Sequence, residues 1–149
     1  MNAALLTEKL LSVSFHPVVP FDTAGDKLLL LDLTAANTAL TEELLGNTSL
    51  FSTYINQQLE QAGARYGIGG YGEHRTLYRF STVFDADKKG EEPRRLHLGT
   101  DIWGKPHTAV MAPLDAIVHS FAFHNNPGDY GTTILLVHRE AGFSFYTLY

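Results

Sequence analysis

The clearest periodic signal lies between Thr48 and Gly63. Phe51, Tyr54, Ile55, Leu59 and Ala62 recur at three- and four-residue steps, which places them on one face of a helix. Thr48 or Ser49 can cap its start, and Gly63 can end it. Residues 2–12 predict a shorter amphipathic helix, halted before Phe15-His16-Pro17 and Pro20. Lys27 to Leu33 holds a run of four leucines between Gly25 and Asp32 and predicts a buried strand, although a leucine run alone fits either state. Thr34 to Gly46 predicts a further helix, with Thr41 as cap, Glu42 and Glu43 in its first turn and Gly46 as its stop.

At Arg65 helical spacing gives way to β-branched, aromatic and glycine residues. Thr76–Phe84, Ala109–Pro113, Ala116–Phe123, Thr132–His138 and Phe143–Tyr149 predict strands. Leu114-Asp115 is a turn, His124 to Gly131 is turn-rich, and Arg139-Glu140-Ala141-Gly142 predicts a hairpin connection. Asp85 to Pro93 reads as a charged loop. The expected fold is α+β and mainly antiparallel, with a helical region over residues 1–64 packed on a β domain over 65–149.

Composition narrows the function classes. A chain of 149 residues makes one domain with room for a core. Its net charge of -5 removes the basic field that nucleic acid requires. Without cysteine there is no disulfide and no thiolate ligand, so any metal is held by histidine and carboxylate. The opening Met1 to Lys9 lacks a basic leader segment, and Glu8 and Lys9 break its apolar run. No later run approaches membrane-spanning length, so neither nucleic acid nor membrane is an expected partner, and the chain as written is expected in the cytoplasm.

Candidate chemistry concentrates in Arg94-Arg95-Leu96-His97-Leu98-Gly99-Thr100-Asp101-Ile102-Trp103-Gly104. Imidazole nitrogen and carboxylate oxygen both suit a divalent ion such as zinc. Glycine and β-branched neighbours speak against a helix here. On a straight strand, positions four apart lie roughly 13 Å from each other, too far for one ion. A bend at Gly99 is the arrangement that brings His97 and Asp101 together. Two ligands leave the site incomplete, since catalytic zinc takes three protein ligands and a water.

These residues and those after them resemble the first part of the lysostaphin-type, LytM-like zinc metallopeptidase domain. His97-Leu98-Gly99-Thr100-Asp101-Ile102 matches that family's His-x-Gly-x-Asp-Ile motif. Thr108 to Ala116 is similar to its Val-x-Ala-Pro-x-Asp-Gly strand and turn, with Ala116 in place of the glycine. Lys105-Pro106-His107 shifts the proline relative to the family's Gly-x-Pro-Val. Tyr130 to His138 resembles its Tyr-Gly strand, and Phe145 to Tyr149 the start of its Tyr-x-His-Leu segment. Gly70-Tyr71-Gly72-Glu73-His74-Arg75 resembles a lead-in found in some bacterial members.

The resemblance implies a duplicated-hybrid-motif β groove with one zinc ion at its floor and hydrolysis of peptide bonds, commonly in peptidoglycan. It implies His97 and Asp101 as two zinc ligands. The third ligand and both catalytic histidines belong to motifs that would follow Tyr149, so none of the residues given is a catalytic candidate and the centre is expected to be incomplete in this chain. The competing expectation is an inactive relative that binds a peptide, a glycan or a partner protein. Membership as a module of a larger cytoplasmic polypeptide is a third, by analogy alone.

Other candidates carry plainer alternatives. His74, Arg75 and Tyr130 are candidate substrate-binding residues, and the plain reading of Glu73-His74-Arg75 is a surface ion-pair cluster. Tyr71, Tyr78, Trp103 and Tyr130 suit an aromatic groove or ordinary sheet packing. His16, His107, His119, His124 and His138 read first as structural or exposed. Phe143 to Tyr149 is an apolar strand expected at a sheet edge, where an oligomer contact or aggregation would form.

Overall fold

A computed structural model describes residues 3–80, 84–85, 92–126, 129–140 and 142–149. In chain order the elements are α1 (Ala3–Leu11), β1 (Leu28–Leu31), α2 (Glu42–Leu45), α3 (Thr48–Ala62), β2 (Tyr66–Gly69) and β3 (Glu73–His74). A 3-10 turn (Thr76–Arg79) follows, then β4 (Leu96–His97), β5 (Asp101–Trp103), β6 (Ala116–His124), β7 (Gly131–Glu140) and β8 (Phe143–Leu148). The class is α+β with mostly antiparallel pairing, as expected; among the described strands, β1 and β2 run parallel. The chain divides into two compact units, Asp22–His107 and Met1–Phe21 with Thr108–Tyr149.

In the first unit, α3 forms where the periodicity placed it. Ile55 and Leu59 are buried with Leu31, Leu33, Leu40 and Leu45, and Phe51, Tyr54 and Trp103 pack against them. Ala62 is exposed, so the buried stripe ends at Leu59. The cap is Asn47 rather than Thr48 or Ser49: its Oδ1 accepts from the amides of Ser49 at 3.0 Å and Leu50 at 3.1 Å. Gly63 closes the helix in the left-handed region, φ 60°.

The helix expected over residues 34–46 shrinks to the single turn α2, with Thr41 and Gly46 at its ends as expected. Local side-chain bonds hold the preceding residues. Asp32 Oδ1 accepts from the Thr34 amide and hydroxyl, and Asn37 Nδ2 donates to the Asp32 carbonyl and the Tyr54 hydroxyl. Such bonds offer the backbone an alternative to the helix ladder. The leucine run does form a strand, β1, but not a fully buried one. It lies at the edge of the order β1-β2-β5, with Leu31 inside and Leu30 81% exposed.

The strand expected at Thr76–Phe84 is replaced over its first half by the 3-10 turn; residues 81–83 lie outside the described residues. The Thr76 amide donates to the Leu33 carbonyl at 3.0 Å, which ties the turn to the end of β1 rather than to a neighbouring strand. Most of the expected charged loop, residues 86–91, also lies outside the described residues.

In the second unit, β6, β7 and β8 form an antiparallel sheet in that order. β6 carries an irregularity between Val118 and Ser120. β7 and β8 pair from Glu140↔Phe143 to Leu135↔Leu148, consistent with the expected hairpin. Ala109–Pro113 is not a strand. It makes two isolated backbone bonds, Met111 to the Val18 carbonyl and His16 to the Pro113 carbonyl, and Pro113 has no amide with which to continue a ladder. No helix among the described residues is long and apolar enough to cross a membrane.

Candidate metal site

The alternation of a strand sorts the lead-in residues. Glu73 and Arg75 are two apart and share the inward side, while His74, between them, is exposed. β3 pairs antiparallel with β4, placing Glu73 opposite His97. The Gly72 amide donates to the His97 carbonyl at 2.7 Å, and the Arg75 amide to the Arg95 carbonyl at 3.2 Å. β5 pairs instead with β2, placing Asp101 opposite Gly69. His97 and Asp101 thus belong to two different small sheets, with Leu98-Gly99-Thr100 turning between them. The bend leaves His97 Nε2 3.4 Å from Asp101 Oδ1.

Each head is held from its far side. Tyr78 Oη lies 2.7 Å from His97 Nδ1. Arg75 Nη1 donates to Asp101 Oδ2, and its Nε donates to Glu73 Oε2 at 3.2 Å. Glu73 Oε1 in turn accepts from the Leu33 amide at 3.3 Å. The Arg75 and Glu73 side chains are only 7% and 11% exposed, so this is a buried ion pair. Glycine makes room for it: a Cβ on Gly69 would sit 2.8 Å from Arg75 Nη2 and 3.4 Å from Asp101 Cβ. A Cβ on Gly99 would sit 3.0 Å from His97 Nε2.

The donor atoms fit a tetrahedral ion. Zinc–nitrogen and zinc–oxygen bonds of about 2.0–2.2 Å at a tetrahedral angle place the two ligand atoms about 3.4 Å apart. That matches the Nε2 to Oδ1 separation of 3.4 Å. The two atoms are not hydrogen-bonded to each other, and Nε2 is buried with no hydrogen-bond partner among the described residues. A buried nitrogen in that condition is costly unless something binds it. The carboxylate is 34% exposed and so remains reachable from solvent. Among the described residues, no group of three or more histidine, cysteine, aspartate or glutamate side chains is placed to hold a metal. The pair itself presents two donor atoms, Nε2 and Oδ1.

The other candidates fall elsewhere. Arg75 lies beneath the pair, engaged by two carboxylates, and His74 points away on the exposed side of β3. Glu73 and Arg75 are paired as the plain reading had it, but inside the protein rather than on its surface. Tyr130 is 82% exposed and belongs to the other unit. Trp103 packs edge-on to Phe51 at 5.3 Å, in the core, and Tyr71 is 72% exposed.

His138 is fully buried and satisfied. Its Nδ1–H donates to the Asp115 carbonyl at 3.2 Å, which leaves Nε2 to accept from the Thr147 hydroxyl at 2.7 Å. His119 lies edge-on to Tyr146 at 5.4 Å. Two partners of the site escaped the sequence reading in these roles, Glu73 and Tyr78. The two-residue spacing of Glu73 and Arg75 was a usable signal for the first. Nothing in the sequence marked Tyr78 as the imidazole's neighbour.

Compared with protein-family models, curated proteins and solved structures, the chain matches none of them.

Proposed function

We propose that this chain carries part of the centre of a zinc-dependent endopeptidase of the lysostaphin type, with His97 and Asp101 as two ligands of one Zn²⁺. The observation that supports this most is the buried, unpartnered His97 Nε2 lying 3.4 Å from a carboxylate oxygen. Zinc, when bound, supplies Lewis acidity toward a carbonyl oxygen and lowers the pKa of a water molecule. The chain's own part is to present the two donor atoms. Arg75 engages Asp101 Oδ2, which leaves Oδ1 as the free oxygen and restricts the carboxylate to one-atom ligation. A further ligand completes the site from outside the described residues.

The proposed substrate is a peptide, in the first place a peptidoglycan stem or cross-bridge, lying in a lysostaphin-like β groove. Arg75, held by two carboxylates, has the supporting role just given rather than a substrate contact.

The reading is tested with the purified chain and a competing chromophoric chelator. The expected result is one zinc per chain, lost in His97→Ala and weakened in Asp101→Asn, with far-ultraviolet circular dichroism unchanged. Zinc binding that is absent from the wild type, or indifferent to both substitutions, overturns it.

A further inference from the structure

On the zinc reading of the site, one neighbour of His97 has a chemistry that carboxylate and carbonyl partners lack. Ligating histidines commonly rest their second nitrogen on a carboxylate, a backbone carbonyl or a water molecule, and the first two only accept a hydrogen bond. Here the second nitrogen, Nδ1, faces the Tyr78 hydroxyl at 2.7 Å. A phenol both donates and accepts.

That difference matters because neutral imidazole carries one proton on two nitrogens. With Nε2 free, the Asp101 Oδ1 at 3.4 Å favours an N–H at Nε2, and Nδ1 is then an acceptor for the Tyr78 O–H. With Nε2 ligating an ion, the lone pair must be there and the proton on Nδ1, which donates to the Tyr78 oxygen. The Nε2 proton goes to solvent and Nδ1 takes one up, so the ring stays neutral and the proton balance closes. A carbonyl at the position of Tyr78 would satisfy the second state and oppose the first.

We infer that Tyr78 is a positioning residue which holds His97 Nε2 toward Asp101 in both states by reversing the direction of one hydrogen bond. The hydroxyl is itself well placed to stay still. Tyr78 lies in the 3-10 turn, whose first amide, Thr76, is bonded to the Leu33 carbonyl at 3.0 Å. Its ring stacks on Phe84 at 4.2 Å between centroids. The imidazole therefore needs no reorientation when it takes up an ion, and that saves ordering of the ligand at the moment of binding.

The experiment is long-range proton–nitrogen NMR of the ring nitrogens in the full chain, with and without added zinc, beside zinc affinities of wild type and Tyr78→Phe. In the wild type, zinc is expected to convert His97 from the Nε2–H to the Nδ1–H tautomer. Tyr78→Phe is expected to bind zinc about 10–100-fold more weakly, and its Nδ1 proton to exchange faster with solvent. A wild type that keeps one tautomer throughout overturns the inference without any substitution being made. Zinc binding equal in the wild type and Tyr78→Phe overturns the role of Tyr78 and leaves the zinc reading standing. No zinc binding by the wild type overturns both.

Discussion

Gly99 sits where an added methyl group would meet the imidazole it serves. Its hypothetical Cβ falls 3.0 Å from His97 Nε2, and the ring cannot simply retreat, because Nδ1 is held at 2.7 Å by Tyr78. Gly99→Ala is therefore expected to weaken zinc binding about tenfold, the scale of a disturbed ligand support. Its unfolding midpoint should stay close to that of the wild type, since the flanking Leu98 and Thr100 are exposed. Isothermal titration and a thermal melt on the same sample separate the two effects; a large loss of stability with unchanged affinity would contradict the expectation. At this scale the sequence told a good deal. The His97–Asp101 spacing, a β-type context and a glycine between them required a bend, and the chain bends there. It could not tell which groups lie behind the two heads. Tyr78 and Arg75 reach them from 19 and 26 residues away, through packing and not through spacing.

Elements were legible where one face of a regular spacing meets a core. α3 formed from such a pattern, and its stability should respond at the cap actually used. Asn47→Ala removes an acceptor from two amides and is expected to cost about 1 kcal/mol in denaturant unfolding, whereas Ser49→Ala should change little. Equal effects of the two substitutions would mean that the helix begins elsewhere. Elements failed where polar side chains bond to nearby backbone. Asp32, Thr34 and Asn37 turn the chain locally and leave α2 a single turn. Thr76 to Arg79 has residues that suit a strand, yet its first amide is anchored on Leu33, and the segment coils into a 3-10 turn. A propensity for strand records fit to a pleated surface, and among the described residues no strand pairs with this segment.

Across the molecule, apolar exposure is uneven. Every residue of β6 is exposed, including Phe121 at 79% and Phe123 at 69%, and β8 forms the opposite edge of the same three-stranded sheet. Edge strands with apolar side chains invite pairing with other chains. Association through β8 remains our proposal, and its expected sign is an average mass that rises with concentration in sedimentation velocity. Tyr146→Lys, at a position 56% exposed on β8, should suppress that rise. A wild-type monomer at every concentration would remove the proposal. The α+β class was readable from composition and pattern, but the parallel pairing of β1 with β2 was not, because a run of leucines carries no direction.

The arrangement of His97 and Asp101 has a mechanical side. One side chain is carried by the β3–β4 ribbon and the other by the β1–β2–β5 sheet, so the gap between them spans a seam between two independently hydrogen-bonded ladders. An ion gripped by both would act as a rivet through that seam. Sliding one ladder against the other by a fraction of an ångström would spoil the grip, and loading the rivet would resist the slide. On the proposed zinc site, retention of the ion would gauge how firmly the two ladders are locked together.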